Sequence, residues 1–452
     1  MNSNSEFIDF NNFKMITDIK QRKNKLVIEI NKNYETAVIL DYDTYLEDSK
    51  LFFSHDLLKN IHKKRIESLK SGILNLISIG VSQNLVNKYT NRKTNYISGS
   101  SQIPLIGHTA FGLIDRGTNI IQVRGLSGCN INCPFCSVDE GKHSKTRKND
   151  YFVDMDYLVE EYKKIVEFKG NKRIEAHFDG QGEPSLYYPL PELIQNLNEI
   201  NKKGDGLVSM QSNGVNLSYK LIDELEEAGL HRINLSINAI DELKSRMLSG
   251  SKIYNINKIL DIAEYIKNSK IHLLVASLLL PNVNEEEFKK VIDFAVKLEQ
   301  KNPQNIINPI TKKKNPILGV QMCLSYKFGR KIKKMKSWKF NSFYELLKSY
   351  EQEYKTKGIF VNLDLSKFEA FGTHKRKKLP TPFKLNEVVK TKIVLDGRVN
   401  GEVIGVAKNR IIQIIDINKN KSKNITYQKL EGKIVNVKIN RVQDNIIVGQ
   451  KI

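Results

Sequence analysis

Three of the four cysteines in this 452-residue chain lie within eight residues, at Cys129, Cys133 and Cys136. The spacing Cys-x3-Cys-x2-Cys supplies three thiolates. A [4Fe–4S] cluster held by three cysteines keeps one iron open to a small molecule, whereas a structural zinc ion requires four protein ligands. His143 is the only histidine near the loop that a zinc site can recruit. The spacing therefore favours an iron–sulfur cluster that performs chemistry over a structural zinc site.

The chain around the cysteines alternates between strand-like and helical patterns. Strands are predicted at residues 119–123, 173–178, 207–211, 232–237, 271–280 and 319–324. Helices are predicted between them, at residues 156–169, 190–200, 219–228, 255–266 and 284–300, the last with a capping box formed by Asn284 and Glu287. Six strands alternating with helices imply a parallel sheet that is closed or partly closed into a barrel. The cysteine loop follows the first strand, and the loops at the carboxyl ends of such strands carry active sites.

Three further regions surround this α/β core, which is predicted to span residues 113–340. Residues 1–112 predict an α+β accessory region, and residues 341–385 predict a helix followed by a basic linker. Residues 386–452 predict a small all-β barrel of OB-like size, because short strands alternate there with turns. Its strands are predicted at residues 391–395, 402–406, 410–415, 433–439 and 445–448.

The cysteine loop resembles that of radical S-adenosylmethionine (radical SAM) enzymes, whose pattern is Cys-x3-Cys-x-aromatic-Cys after the first barrel strand. The resemblance covers roughly residues 118–328 and implies a partial (β/α)6 TIM-type barrel. It implies that Cys129, Cys133 and Cys136 hold the cluster and that the open iron binds the amine and carboxylate of SAM. Phe135 is then placed where its ring can face the adenine. One electron, from a reductant such as ferredoxin or flavodoxin, would cleave SAM to methionine and a 5′-deoxyadenosyl radical.

Other positions are similar to SAM contacts of the same superfamily. The predicted SAM-binding residues besides Phe135 are Gly180, Gln181, Gly182, Glu183, Pro184, Ser212, Asn213, Ser236 and Asn238. The run from Gly180 to Pro184 resembles the glycine-glycine-glutamate motif and departs from it at Gln181. For the serines and asparagines, turn and cap chemistry is an equally good interpretation.

The net charge of +22 admits two interpretations. A lysine-rich composition explains it without function, whereas a basic patch is the electrostatic footprint of a nucleic-acid-binding protein. Basic residues interleave with aromatic side chains after the sixth strand and recur in the linker, so these are predicted to contact RNA: Lys327, Arg330, Lys331, Lys333, Lys334, Trp338, Lys375, Arg376, Lys377 and Lys378. A solvated basic face is the alternative.

The C-terminal barrel resembles a TRAM domain, a small RNA-binding barrel appended to several RNA-modifying enzymes. The whole arrangement also resembles an archaeal radical SAM family with no assigned substrate, in which segments like 107–112 and 114–117 precede the first strand. These resemblances imply modification of a nucleoside in tRNA or rRNA. Two hypotheses stay open beside it: a radical SAM enzyme acting on a peptide or small metabolite, and a non-catalytic iron–sulfur protein that binds RNA.

Cys323 is the only cysteine outside the loop. Enzymes that insert sulfur use a second cluster with more cysteines, so methylthiolation is disfavoured. Methyl transfer through Cys323 is conceivable, but a lone cysteine is more often a small buried hydrophobe.

So few cysteines do not form a disulfide framework, which predicts a reducing cytoplasm. The N-terminus lacks the pattern of a signal peptide, and the longest apolar run, near residues 273–280, is too short to span a membrane.

Overall fold

The computed structural model describes residues 6–59, 61–332, 335, 338–366, 368–415 and 427–452. Two residues of the predicted RNA-contacting set, Lys333 and Lys334, lie outside the described residues.

The N-terminal region contains two antiparallel arrays of strands and a long helix. Its elements are β1 (Phe7–Asp9), β2 (Ile16–Arg22), β3 (Lys25–Ile30), β4 (Tyr34–Ile39), β5 (Thr44–Glu47), β6 (Lys50–Phe53), α1 (His55–Lys59), α2 (Lys63–Gln83), β7 (Val86–Asn87) and β8 (Lys93–Ile97). In the described residues, β1, β6 and β5 form a three-stranded sheet, and β2, β3, β4, β7 and β8 follow one another in a second sheet.

The core follows, with strands and helices in alternation. Its elements are β9 (Gly112–Asp115), β10 (Ile120–Arg124), β11 (Asn149–Val153), α3 (Met155–Lys169), β12 (Glu175–Phe178), α4 (Leu190–Asn201), β13 (Leu207–Ser212), α5 (Tyr219–Glu227), β14 (Arg232–Ser236), α6 (Glu242–Ser249), α7 (Ile256–Lys267), β15 (His272–Leu279), α8 (Glu285–Lys301) and β16 (Leu318–Met322). The short helix α6 and the strands β9 and β11 have no counterpart in the predicted pattern.

Seven strands of the core form one sheet in the order β16-β15-β14-β13-β12-β10-β9. Strands β10, β12, β13, β14, β15 and β16 pair in parallel, and β9 adds an antiparallel edge. The parallel α/β sheet is confirmed, whereas its curvature into a partial TIM-type barrel stays a prediction. Strand β11 leaves this sheet and pairs in parallel with β8, so it links the core to the N-terminal region.

Local sequence explains where the core helices begin and end. Asp154 caps α3 by accepting a hydrogen bond from the backbone N–H of Tyr157, and Gly170 ends that helix in the left-handed conformation. The predicted capping box at the start of α8 is wrong. Asn284 makes no side-chain cap, and Glu287 instead accepts hydrogen bonds from the backbone N–H groups of residues 240 and 241 in the neighbouring loop.

The C-terminal part contains α9 (Phe340–Thr356), α10 (Phe368–Phe371), β17 (Val388–Asp396), β18 (Val403–Ala407), β19 (Arg410–Ile415), α11 (Tyr427–Leu430), β20 (Ile434–Arg441) and β21 (Val448–Lys451). The strands close into a small barrel in the order β17-β18-β19-β21-β20, and buried aliphatic side chains fill its interior. No helix in the described part of the chain combines the length and apolar character needed to cross a bilayer.

The linker before the barrel is hydrogen-bonded to the core at residues 377 and 379. A fully buried ion pair joins Lys169 at the end of α3 to Asp115 at the end of β9, with 2.8 Å between Nζ and Oδ1. The same two side chains bind the linker backbone, because Lys169 donates to the carbonyl of Lys377 and Asp115 accepts from the N–H of Leu379. The C-terminal barrel is therefore packed against the core and not suspended on a free tether.

Candidate active site

A cavity of about 880 Å³ lies among the strands of the parallel sheet. Cys129, Cys133 and Cys136 all line it, on the loop that leaves the carboxyl end of β10. The volume lies in the upper part of the range for small-molecule and cofactor sites. The cavity therefore has room for a cofactor at its cysteine-bearing end and for a second molecule beside it.

The thiols lie in a protected environment. Burial raises the pKa of the Cys133 thiol to about 12 and raises that of Cys129 well above its usual value. Two polar groups contact the sulfur atoms: the amide Nδ2 of Asn213 lies 3.6 Å from the Cys129 sulfur, and the backbone N–H of Glu140 donates to the Cys136 sulfur at 3.3 Å. Hydrogen bonds to ligating sulfurs stabilise and tune iron–sulfur clusters, so the donor set fits a cluster.

The zinc interpretation receives no support from the loop geometry. His143 is exposed at the surface. Across the residues that the structure describes, no three His, Cys, Asp or Glu side chains converge closely enough to hold one metal ion. In an iron–sulfur cluster the thiolates bind different iron atoms, so they need not converge on one point.

The loop after β12 contacts the cysteine loop through two glycines. Gly128 and Gly182 form a parallel bridge, and the backbone N–H of Glu183 donates to the carbonyl oxygen of Gly128 at 2.9 Å. A Cβ atom added to Gly182 would lie 2.4 Å from that oxygen. Only glycine permits this approach, and this explains the second glycine of the predicted motif.

Glu183 is buried and accepts four hydrogen bonds. Its Oε1 accepts from the backbone N–H and the hydroxyl of Ser185 and from the hydroxyl of Ser212, and its Oε2 accepts from the backbone N–H of Asn213 at 2.8 Å. Burial raises the pKa of this carboxyl group, while the donors act in the opposite direction. The carboxylate therefore joins the loops after β12 and β13 directly beneath the cysteine loop.

Asn213 connects the third strand to the cysteine loop, since its Nδ2 also donates to Oδ1 of Asn130 at 2.8 Å. Ser236 at the end of β14 accepts from the side chain of Gln211, and the side chain of Asn238 accepts from the backbone N–H of Leu278. Most of the predicted SAM-binding residues line the same cavity; the ones that do are Phe135, Gly180, Gly182, Glu183, Pro184, Asn213, Ser236 and Asn238.

Gln181 and Ser212 point elsewhere. Gln181 accepts a hydrogen bond from Arg398 of the C-terminal barrel, and Ser212 is buried against Glu183. The residue that departs from the glycine-glycine-glutamate motif thus contacts the C-terminal barrel.

Phe135 and Cys323 lie in one apolar cluster. Both are buried, and they pack with Ala239, Leu248 and Leu280 beside the cavity. Burial raises the pKa of the Cys323 thiol. This packing is the ordinary environment of a buried cysteine.

The cysteine loop is supported by three arginines that were not predicted in that role: Arg92, Arg330 and Arg398. Arg330 donates to the Asp139 carboxylate at 2.6 Å, to the carbonyl of Cys133 at 3.0 Å and to the carbonyl of Glu140. The Glu140 side chain is itself buried between Arg92 and Arg398. Local spacing carries no signal for these contacts, because the partners are separated by 48 to 258 positions in the chain.

The predicted RNA-contacting residues divide into two groups. Lys327, Lys331, Lys375, Lys377 and Lys378 are exposed. The other described members of the set contact the protein itself: Arg330 binds the cysteine loop, Trp338 packs on Phe343, and Arg376 donates to the carbonyl of Lys169. Lys377 lies over the Phe168 ring, and Lys378 pairs with Asp444 at 3.4 Å, so the linker cations also hold the chain together.

Comparison with known proteins identifies the core. The family model described as the radical SAM superfamily matches residues 123–295. The uncharacterized protein MJ0103 of Methanocaldococcus jannaschii is 64% identical over 443 residues, which cover 98% of this chain and 99% of that protein. The chain belongs to the same family as that protein and carries a radical SAM domain. A [4Fe–4S] cluster and SAM are the cofactors expected of such a domain.

More distant relatives match less than half of this chain. The GTP 3′,8-cyclase of Clostridium perfringens is 26% identical over 182 residues, or 40% of this chain and 53% of that enzyme. The probable GTP 3′,8-cyclase of Archaeoglobus fulgidus is 29% identical over 195 residues, or 42% of this chain and 59% of that enzyme. The matched region spans about half the length of these curated relatives.

Solved structures show weaker similarity. The anSMEcpe structure with bound AdoMet aligns with 69% of this chain and 79% of that chain, at 18% identity and a TM-score of 0.41. Streptococcus suis SuiB bound to S-adenosylmethionine aligns with 77% of this chain and 72% of that chain, at 13% identity and a TM-score of 0.38. Scores of this size carry no inference about substrate.

Proposed function

We propose that the protein is a radical SAM enzyme that modifies a nucleoside in tRNA or rRNA. Cys129, Cys133 and Cys136 would hold the [4Fe–4S] cluster, and the cavity beside them would hold SAM. The observation that carries this proposal is that all three thiols line one large cavity at the carboxyl end of the first parallel strand. When bound, the cluster and SAM supply the electron transfer and the radical that abstracts a substrate hydrogen.

The chain's own residues position these groups and exclude water. Gly182 allows the loop after β12 to lie against the cysteine loop, and Glu183 and Asn213 hold the next loop in register with it. Phe135 closes the apolar side of the cavity. Ser236 and Asn238 line the cavity at the end of β14, where they would contact polar groups of SAM.

The exposed residues at the mouth of the cavity support the proposal of a nucleic-acid substrate. Tyr326 and Phe340 line the cavity and are 51% and 57% exposed, and the exposed lysines Lys327, Lys331 and Lys339 lie beside them in the chain. Exposed aromatic rings stack on bases, and neighbouring cations bind phosphates. The closed C-terminal barrel, which we propose to be TRAM-like, would extend this surface.

A free nucleotide is the second candidate substrate. The GTP 3′,8-cyclases that match part of this chain favour it, since the name of these enzymes gives a nucleotide as substrate. The exposed mouth and the net charge of +22 favour a polynucleotide.

Nucleoside mass spectrometry of total tRNA and rRNA from a deletion strain tests the proposal. We expect one modified nucleoside to disappear and to return when the intact gene is restored. An unchanged set of RNA nucleosides would contradict an RNA substrate. The Cys136→Ala variant is the matched negative control, because it leaves the cavity mouth unaltered.

A further inference from the structure

The end of the cavity opposite the cysteines, here called the floor, is formed by Glu175 and Arg232. These two residues form an ion pair that takes no part in holding the cluster. Glu175 is the first residue of β12 and Arg232 the first residue of β14, so both lie at the amino ends of the strands. Arg232 Nη2 donates to Glu175 Oε1 at 2.5 Å, and Ser209 on the intervening strand donates to the same oxygen at 2.6 Å. Both charged side chains are nearly fully buried and line the cavity.

One polar atom of each charged group has no hydrogen-bond partner, while the remaining nitrogen of Arg232, Nε, donates to Asn234 Oδ1 at 3.0 Å. Glu175 Oε2 and Arg232 Nη1 are buried and make no hydrogen bond in the described structure. Buried polar atoms are almost always paired, so each exception requires an explanation. Burial raises the pKa of Glu175, but the charges of Arg232 and His177 and the hydrogen bonds from Ser209 and Arg232 together outweigh burial and leave the pKa below its usual value. The floor thus presents one unused anionic acceptor beside one unused cationic donor.

A segment of the chain crosses beneath the floor on the side away from the cluster. His374 exchanges hydrogen bonds with Asn119, which directly precedes β10, so the chain crosses beneath the strands there. Phe371 and Thr373 of this crossing segment line the cavity, and the Phe371 ring lies 4.5 Å from the guanidinium carbon of Arg232. A group that reaches the floor therefore meets an aromatic ring beside the two charges.

The distance from the floor to the cysteine-bearing end of the cavity matches the length of a nucleoside. Arg232 and Ser236 are the two ends of β14, four residues apart. At about 3.3 Å per residue they are separated by roughly 13 Å along the strand. A base on the floor would leave its sugar near the carboxyl edge, where the cysteines and the predicted SAM contacts lie.

We propose that Glu175 and Arg232 bind the hydrogen-bonding edge of the substrate's nucleobase. Glu175 Oε2 accepts from an N–H of the base, Arg232 Nη1 donates to a neighbouring carbonyl oxygen or ring nitrogen, and Phe371 contacts the ring. This proposal rests on the proposed function and specifies how that site selects its substrate. An RNA substrate would reach the floor by extruding the target nucleotide from its stack, as enzymes that act on bases do.

Equilibrium binding of small probes to the wild-type holoenzyme tests the proposed base-binding site without a mutation. The probes are the four ribonucleoside 5′-monophosphates and ribose 5-phosphate, which has the same sugar and phosphate but no base. We expect at least one nucleotide to bind about tenfold or more tightly than ribose 5-phosphate, since the base fills two unsatisfied hydrogen bonds. Equal binding of all five probes would overturn the proposal.

Two variants test whether Glu175 and Arg232 are the residues that bind the base. Glu175→Gln and Arg232→Gln should lose most of the preference for the nucleotide over ribose 5-phosphate while retaining cluster absorbance. Asp115→Asn is the matched control, because Asp115 is an equally buried carboxylate with a cationic partner but does not line the cavity. A preference that survives in both floor variants, or that is lost equally in the control, would overturn the assignment.

The binding result and the deletion-strain result are independent. A nucleotide preference together with an unchanged set of RNA nucleosides would support the floor and identify a free nucleotide as the source of the base. The loss of an RNA modification without any nucleotide preference would support the proposed function and overturn the floor assignment.

Discussion

At the scale of single residues, the amide of Asn213 is the side-chain group that most directly touches a predicted cluster ligand. Its Nδ2 lies 3.6 Å from the Cys129 sulfur, and its Oδ1 accepts from the backbone N–H of Val215, so the amide orientation is fixed. An N–H directed at a ligating sulfur stabilises the reduced, more negative cluster over the oxidised one. The amide should therefore raise the reduction potential.

We expect Asn213→Leu to lower the midpoint potential of the cluster by about 20–60 mV, which is about 0.5–1.5 kcal/mol for one electron and is the size of one hydrogen bond. Redox titration monitored by electron paramagnetic resonance measures this shift. Asn196→Leu, on α4, is the control and should leave the potential unchanged. A potential that stays constant in Asn213→Leu would show that the amide does not act on the cluster.

At the scale of elements, the site depends on the contact between the loops after β10 and β12. The loop after β12 contains two glycines, and only one of them lies too close to its neighbours to carry a side chain. A Cβ at Gly182 would lie 2.4 Å from the Gly128 carbonyl oxygen, whereas a Cβ at Gly180 would meet no atom within 4 Å. These two glycines form a matched pair for testing the contact.

We expect Gly182→Ala to destabilise the protein by about 1–3 kcal/mol, because the added methyl group pushes the two loops apart. It should also reduce the iron content after cluster reconstitution. Gly180→Ala should change neither quantity. Chemical denaturation and iron analysis measure both effects, and equal behaviour of the two variants would contradict the required close approach.

Elements were predictable where the pattern of the chain is local. The alternation of short strand-like segments with helical ones located all six parallel strands, because turn residues bound each segment within a few positions along the chain. Strand β11 was missed, since it pairs with β8 across more than fifty residues and its partner is not recognisable from its own sequence. The capping box of α8 failed because the neighbouring loop engages Glu287 instead.

Residues of the candidate site were likewise predictable only where their signal is local in the chain. Cys129, Gly182 and Glu183 were recognisable from short motifs with characteristic spacing. Arg330 and Arg398 were not, because each supports the site from a distant part of the chain. Arg330 was predicted to contact RNA from its basic neighbours, which stays a prediction, and its hydrogen bonds to the cysteine loop were not foreseen.

At the scale of the whole molecule, the C-terminal barrel forms part of the active-site structure. Arg398, in the turn after β17, is buried and donates to the side chain and the carbonyl of Gln181. It also pairs with Glu140, four residues after the last cysteine of the loop. The barrel thus contacts both loops that surround the predicted cluster.

We expect Arg398→Met to destabilise the protein by about 3–5 kcal/mol, since it leaves the buried Glu140 carboxylate with fewer cationic partners. Hydrogen exchange should rise in both active-site loops, at residues 139–141 and 180–182. Arg441→Met, at an exposed position of the same barrel, is the control and should leave exchange in these loops unchanged. Unaltered exchange in Arg398→Met would mean that the barrel does not support the site.

The charged surface at the cavity mouth also acts at this scale. We expect the triple change of Lys327, Lys331 and Lys339 to glutamine to reduce the slope of log K against log salt for a single-stranded RNA by about 2, at about 0.7 for each phosphate that a lysine no longer neutralises. A triple change of Lys14, Lys220 and Lys270, which are 94%, 88% and 90% exposed elsewhere, is the control. The same reduction in both triple variants would indicate a non-specific effect of net charge.

The central claim is that Cys129, Cys133 and Cys136 hold a cluster that cleaves SAM. The most direct measurement is 5′-deoxyadenosine formation by the anaerobically reconstituted, reduced protein in the presence of SAM, compared among single cysteine-to-alanine variants. The account predicts that each of these three variants loses both the product and the absorbance near 400 nm (roughly, for a cluster of this type), while Cys323→Ala retains both. Product formation by any of the three loop variants at the wild-type level would contradict it.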